Sequence, residues 1–139
     1  LTYERSGQLV EAAAAFQRAI EIQPDLAEAH HDLGNTLSRM ERFAEAEVSL
    51  QRAVELRPNL VEAHFNLGNV FHDLGRLEEA RGAYEAALTL NPIYAEAHFY
   101  LAVTLEKLGR SQQARVHWRR YRELAPDGEW VQLAQDFDE

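Results

Sequence analysis

The sequence predicts an all-α protein: a right-handed superhelical solenoid of antiparallel helix hairpins (an α-α superhelix). Three observations carry that prediction. Pro24, Pro58, Pro92 and Pro126 stand at intervals of 34 residues, and other residue types keep the same step: Glu28, Glu62 and Glu96; His30, His64 and His98; Leu33, Leu67 and Leu101; Ala12, Ala46, Ala80 and Ala114. Within one step the apolar residues have helical spacing, as in Leu67, Phe71, Leu74 and in Leu101, Leu105, Leu108. Turn residues then divide each step in two. Gly75 ends one stripe, a second runs from Leu77 through Ala80, Tyr84, Ala87 and Leu88, and Pro92 follows it. Glycine readily takes the left-handed conformation that ends a helix, and proline suits the start of the next. One step is therefore a helical hairpin, and a fixed period of this length marks a repeat architecture.

Taken in order, residues 1–26 form a truncated repeat with only its second helix, about 9–23, whole. Full repeats occupy 27–60, 61–94 and 95–128. Their helix pairs are expected near 26–40 with 43–57, 60–74 with 77–91, and 94–108 with 111–124. Gly7, Gly75 and Gly109 recur as turn residues, with Glu41 breaking the series; a left-handed backbone at Glu41 would cost about 1 kcal/mol. Residues 129–139 read as a capping helix, with Trp130, Leu133 and Phe137 on one apolar face. Small residues at Gly34, Gly68 and Ala102 are expected to face Ala46, Ala80 and Ala114, so that the helices of each hairpin approach closely.

Bulk composition narrows the function. The chain has 139 residues, 46% hydrophobic and 27% charged, an ordinary globular mixture for one domain. A net charge of -9 disfavours nucleic acid and anionic membrane surfaces. Without cysteine there is no disulfide, thiolate chemistry or cysteine-bound zinc. No apolar run approaches the roughly 18 residues of a membrane span, and no signal peptide is visible. No membrane insertion and a cytoplasmic location are the expectations. A start at Leu1 rather than Met suggests a chain processed or cut from something longer. No nucleophile–base set, phosphate loop or metal motif stands out, so the chain is read as not an enzyme, with no cofactor and no metal.

The period and its residues resemble the tetratricopeptide repeat family. The segment HFNLGNVF supplies His64, Leu67, Gly68 and Phe71, and Ala80, Tyr84, Ala87 and Pro92 complete that family's pattern. Histidine stands in place of the pattern's Trp in all three full copies, and Ala102 in place of Gly in the last. The resemblance covers nearly the whole chain. It implies a protein-binding scaffold whose first helices line a concave groove. The implied groove positions are Glu28, His31, Asp32, Asn35 and Arg39; then Glu62, Phe65, Asn66, Asn69 and Asp73; then Glu96, Phe99, Tyr100, Val103 and Lys107. Such a groove is acidic and amide-rich at one end and aromatic at the other. It predicts a protein or peptide partner with basic and apolar residues.

Asparagine offers both an acceptor and a donor and can pair with a peptide unit of any sequence. Asn66–Asn69 is similar to the repeats of the O-linked N-acetylglucosamine transferases, in which an asparagine ladder grips peptide backbones. Only Asn66 matches that ladder; Asp32 and Tyr100 stand at the equivalent positions. Asn35 and Asn66 also fall at asparagine positions of the family's carboxylate clamp. Its cationic positions carry His31, Glu96 and Tyr100 here, and Glu96 would repel a carboxylate.

His30, His64 and His98 read as packing residues, because one per repeat puts them about 10 Å apart, too far for one metal ion. In Arg115–Arg122, Trp118 and Tyr121 take packed repeat positions; the arginines form a solvated face with Asp127 and Glu129 as expected partners. Two further readings stand beside the scaffold. One is an oligomerisation or spacer module that self-associates through an exposed apolar N-terminal edge (Leu9, Ala13, Phe16, Ile20). The other is the substrate-presenting repeat region of a larger enzyme.

Overall fold

The computed structural model describes residues 3–138. Among them are eight helices and no strand: α1 (Tyr3–Ile22), α2 (Ala27–Arg39), α3 (Phe43–Leu56), α4 (Val61–Asp73), α5 (Leu77–Leu90), α6 (Ala95–Lys107), α7 (Ser111–Leu124) and α8 (Val131–Asp138). The closest packing is within the pairs α2/α3, α4/α5 and α6/α7. Each pair leans on the next through α3/α4 and α5/α6, while α1 covers α2 and α8 covers α7. The chain is an all-α solenoid.

Alanine repetition makes the close approach possible. Ala46, Ala80 and Ala114 are fully buried. The glycines, however, meet larger side chains one turn beyond those alanines. A Cβ on Gly68 would lie 2.6 Å from Tyr84 Cε1, and one on Gly34 2.6 Å from Leu50 Cγ, with only the main-chain oxygen of Ala46 nearby at 3.3 Å. The small residue thus receives a bulky one. Leu50, Tyr84 and Trp118 share one place in successive hairpins, and all three are fully buried.

The turns within the hairpins close by one mechanism. Gly75 N–H donates to the His72 carbonyl (3.0 Å) and Arg76 N–H to that of Phe71 (2.8 Å). The same pair of bonds recurs from Gly109 and Arg110, and from Glu41 and Arg42. This pattern satisfies the last carbonyls of the helix and needs one left-handed residue. Gly75 (φ 78°), Gly109 (φ 76°) and Glu41 (φ 62°) supply it. Gly7 does not: α1 runs through it without a turn. Glycine permits a left-handed turn but does not impose one. At 75 and 109 the returning helix enforces it, whereas α1 packs mainly on α2.

The turns between hairpins close differently. Leu26, Leu60 and Tyr94 precede α2, α4 and α6, and none caps its helix with a side chain. The repeated histidine ties this loop down instead. Nε2 of His30, His64 and His98 bonds the carbonyl of Pro24, Pro58 and Pro92 at 2.9, 2.8 and 2.8 Å. A carbonyl only accepts, so each Nε2 carries a proton. These histidines hold the backbone, one per repeat.

Both ends depart from the sequence reading. Leu9 and Ala13 are buried, and Phe16 and Ile20 pack half-buried against the core. The apolar stripe of α1 therefore faces inward, and Val10 and Ile22 are that helix's exposed large hydrophobic residues. At the other end, Trp130 stacks on Phe99 (ring centroids 4.1 Å apart) and Phe137 on Trp118 (5.2 Å), while Ala134 is fully buried. Leu133 is exposed rather than part of the capping face. Among the described residues no helix is long and apolar enough to cross a membrane.

Candidate peptide-binding groove

The first helix of each pair (α2, α4, α6) carries the expected groove positions, and neighbouring repeats are wired together there. Asn66 Nδ2 donates to His31 Nε2 (2.9 Å), which ties α4 to α2. Lys107 Nζ donates to His72 Nε2 (3.1 Å), which ties α6 to α4. Burial, then the Lys107 charge, holds His72 below its ordinary pKa. A neutral His72 keeps the lone pair that this bond needs. Tyr84 Oη donates to Asn69 Oδ1 at 2.5 Å. Among the described residues no hydrogen bond engages the Asn66 carbonyl or the Asn69 amide NH2, an acceptor and a donor that match the two groups of a peptide unit. Asn35 is exposed on α2.

Of the expected aromatic residues, Phe65 and Phe99 are buried. Phe65 stacks on Tyr94 (4.9 Å), and Trp130 covers Phe99. Both rings are packed into the core rather than open to a ligand. Tyr100 is half-exposed, with its ring beside those of Phe65 (5.7 Å) and Tyr84 (6.2 Å). Ser38, Asn69, His72, Asp73, Tyr84 and Tyr100 enclose a recess of about 280 Å³. A second recess, about 360 Å³, brings Glu28, His31 and Glu62 together with Arg57. Sequence reasoning misses Ser38, His72 and Tyr94 as site residues. Tyr94 lies before α6 rather than on it, and His72 stands beside an assigned position, so helix-face counting passes over both.

The carboxylates of the acidic edge are not equivalent. Glu28 pairs with Arg57 at 2.9 Å. One and two repeats on, Asn91 and Ala125 replace that arginine. Among the described residues Glu62, Asp73 and Glu96 have no ion-pair partner within 4.0 Å. Tyr94 senses two of them: burial first, then the charges of Glu96 and Glu62, push its hydroxyl up to about 12. Asp73 and Glu96 likewise add to the burial that raises the Tyr100 hydroxyl. Carboxylates without an ion-pair partner among the described residues thus lie beside aromatic rings.

Helix pairs stacked at one period, with a polar and aromatic face along their first helices, define a helical-repeat scaffold for protein–protein interaction. Comparison with known proteins places it more closely. The tetratricopeptide repeat family matches residues 31–92 and 73–129, and a further match to its repeats covers 2–41. The chain belongs to that family. No curated protein matches the sequence. Among solved structures, MamA MSR-1 is 27% identical with a TM-score of 0.76, covering 89% of this chain and 71% of that one. Another MamA crystal structure superposes at a TM-score of 0.86 over 96% of this chain and 80% of that one, at 23% identity, a likeness of fold alone. The Thermobaculum terrenum O-GlcNAc transferase is 31% identical with a TM-score of 0.77; the match covers 86% of this chain and 24% of that one.

Proposed function

We propose that the groove binds a protein segment carrying Lys or Arg beside an apolar anchor, and that the chain does so as a scaffold without catalysis. The observation that supports it most is the loss of the Arg57 equivalent in the later repeats. Among the described residues Glu62 and Glu96 stand without a cation, next to the Phe65–Tyr94–Tyr100 aromatic cluster. A ligand cation takes the role that Arg57 plays for Glu28, and Asn66 and Asn69 hold the ligand backbone. The test is fluorescence anisotropy with a basic–aromatic peptide series and its charge-reversed counterpart. Glu62→Lys/Glu96→Lys should weaken the basic series on the order of tenfold or more with an unchanged helical signal. Asn66→Ala/Asn69→Ala should weaken both series. Equal binding of the two series by the native chain, or an unaffected double charge reversal, would overturn the reading.

A second reading has one observation in its favour, the likeness to the O-GlcNAc transferase repeats. In it, the groove presents a segment to a catalytic domain outside this chain. The reading frame around the coding sequence decides it: no adjoining catalytic domain would remove it.

A further inference from the structure

Positions 110 to 122 hold five arginines and no acidic residue, in a chain whose net charge is -9. The sequence suggests Asp127 and Glu129 as their partners. Three of these arginines converge instead on one carboxylate, that of Asp138 at the end of α8. Arg119 Nε lies 2.9 and 3.1 Å from its two oxygens. Arg122 Nη2 donates to Oδ2, and Arg115 Nε stands 3.7 Å from Oδ1, outside hydrogen-bond reach. The Asp138 side chain is only 11% exposed. Arg122 Nε is buried and finds no hydrogen-bond partner among the described residues. Arg110 and Arg120 are engaged elsewhere, by Glu78 and Glu123.

One carboxylate does not match this triad. Among the described residues three cations face a single negative charge, and their N–H groups outnumber what two oxygens can accept. A phosphoryl group brings a charge near -2 and three strong acceptor oxygens, which is the shape and charge that convergent guanidiniums bind. We propose that Arg115, Arg119 and Arg122 form an anion site for a phosphoryl group on a protein partner, and that Asp138 occupies the site as a resident substitute. Phosphoryl binding then displaces Asp138 and loosens the end of α8, where Phe137 covers Trp118. A phosphorylated protein segment is favoured over nucleic acid because the rest of the molecule is acidic and repels a polyanion. The site is separate from the concave groove and does not depend on it.

The chain reports on itself, because of its two tryptophans Trp118 stacks on Phe137 of α8 and Trp130 immediately precedes α8. The intact protein is titrated with inorganic phosphate against sodium chloride at equal ionic strength, following tryptophan emission. Asp138→Asn should bind phosphate on the order of tenfold more tightly than the native chain. Arg115→Gln separates binding from structure: Arg115 makes no hydrogen bond to Asp138, so this variant should lose phosphate affinity with an unchanged unfolding midpoint. If Asp138→Asn itself releases α8, the comparison of the native chain with Arg115→Gln stands alone. A phosphoserine peptide that competes with phosphate, while its unphosphorylated form does not, identifies the protein source. Absence of phosphate binding by the native chain and Asp138→Asn alike would overturn the proposal. So would equal binding by Arg115→Gln, or a preference for single-stranded RNA over the phosphopeptide.

Discussion

Two glycines make opposite predictions because their surroundings differ. Gly68 sits under Tyr84, whose ring is fully buried and whose hydroxyl is bonded to Asn69. The ring cannot move aside without losing that bond, so Gly68→Ala should destabilise the protein by about 1–3 kcal/mol, as overpacking does. Gly82 lies in the middle of α5, and a Cβ there would meet nothing within 4 Å. Gly82→Ala should raise stability by about 0.5–1 kcal/mol, because alanine loses less backbone entropy in a helix. Urea unfolding of both variants measures the difference in sign. The sequence shows that both positions are small. Only the neighbouring ring makes one of them obligatory.

At the scale of the element, the hairpin turns explain why one non-glycine residue is tolerated. Glu41 adopts φ 62° where its counterparts are Gly75 and Gly109, a conformation that costs a side chain roughly 1–2 kcal/mol. Part of that is recovered from the greater freedom of glycine in the unfolded chain. Glu41→Gly should therefore stabilise by about 0.5–1 kcal/mol, read as a shift in the urea midpoint. The last hairpin carries a pH dependence of its own. His98 gives its Nε2 proton to Pro92, so its Nδ1 accepts, and His117 Nδ1 must donate across 3.0 Å. Burial, then the neighbouring His98, pushes His117 down to about 4; burial also lowers His98. The folded chain holds these rings neutral while the unfolded chain protonates them near 6.5. This contribution to stability is complete above about pH 6.5 and declines as pH falls toward 4. Thermal unfolding at about pH 7 and about pH 5 should show a smaller drop for His117→Gln than for the native chain.

On the scale of the whole molecule, charge is sorted by face. Nearly every arginine of the second helices and turns is paired with a carboxylate, while Glu62, Asp73 and Glu96 on the first helices are not paired among the described residues. Association driven by these exposed charges should weaken as salt rises, because screening sets in beyond about 10 Å at 0.1 M ionic strength. Affinity for a basic–aromatic peptide should fall between low and high salt, and the slope should flatten in Glu62→Lys/Glu96→Lys. An affinity insensitive to salt would count against an electrostatic groove.

The repeat length, the helix order and the turn glycines at 75 and 109 are legible in the sequence. Each follows from local spacing multiplied by a fixed period. Three matters lie outside such reasoning. The inward face of α1 is set by the helix it leans on, so Leu9 and Ala13 could not be placed from their spacing alone. Phe65 and Phe99 keep the helical register of groove residues, yet Tyr94 and Trp130 come over them from the loops that follow. Arg115, Arg119 and Arg122 of α7 choose Asp138 over Asp127 and Glu129 because α8 folds back along α7. Periodicity states which way a residue points from its own helix; what arrives to meet it depends on how the elements pack.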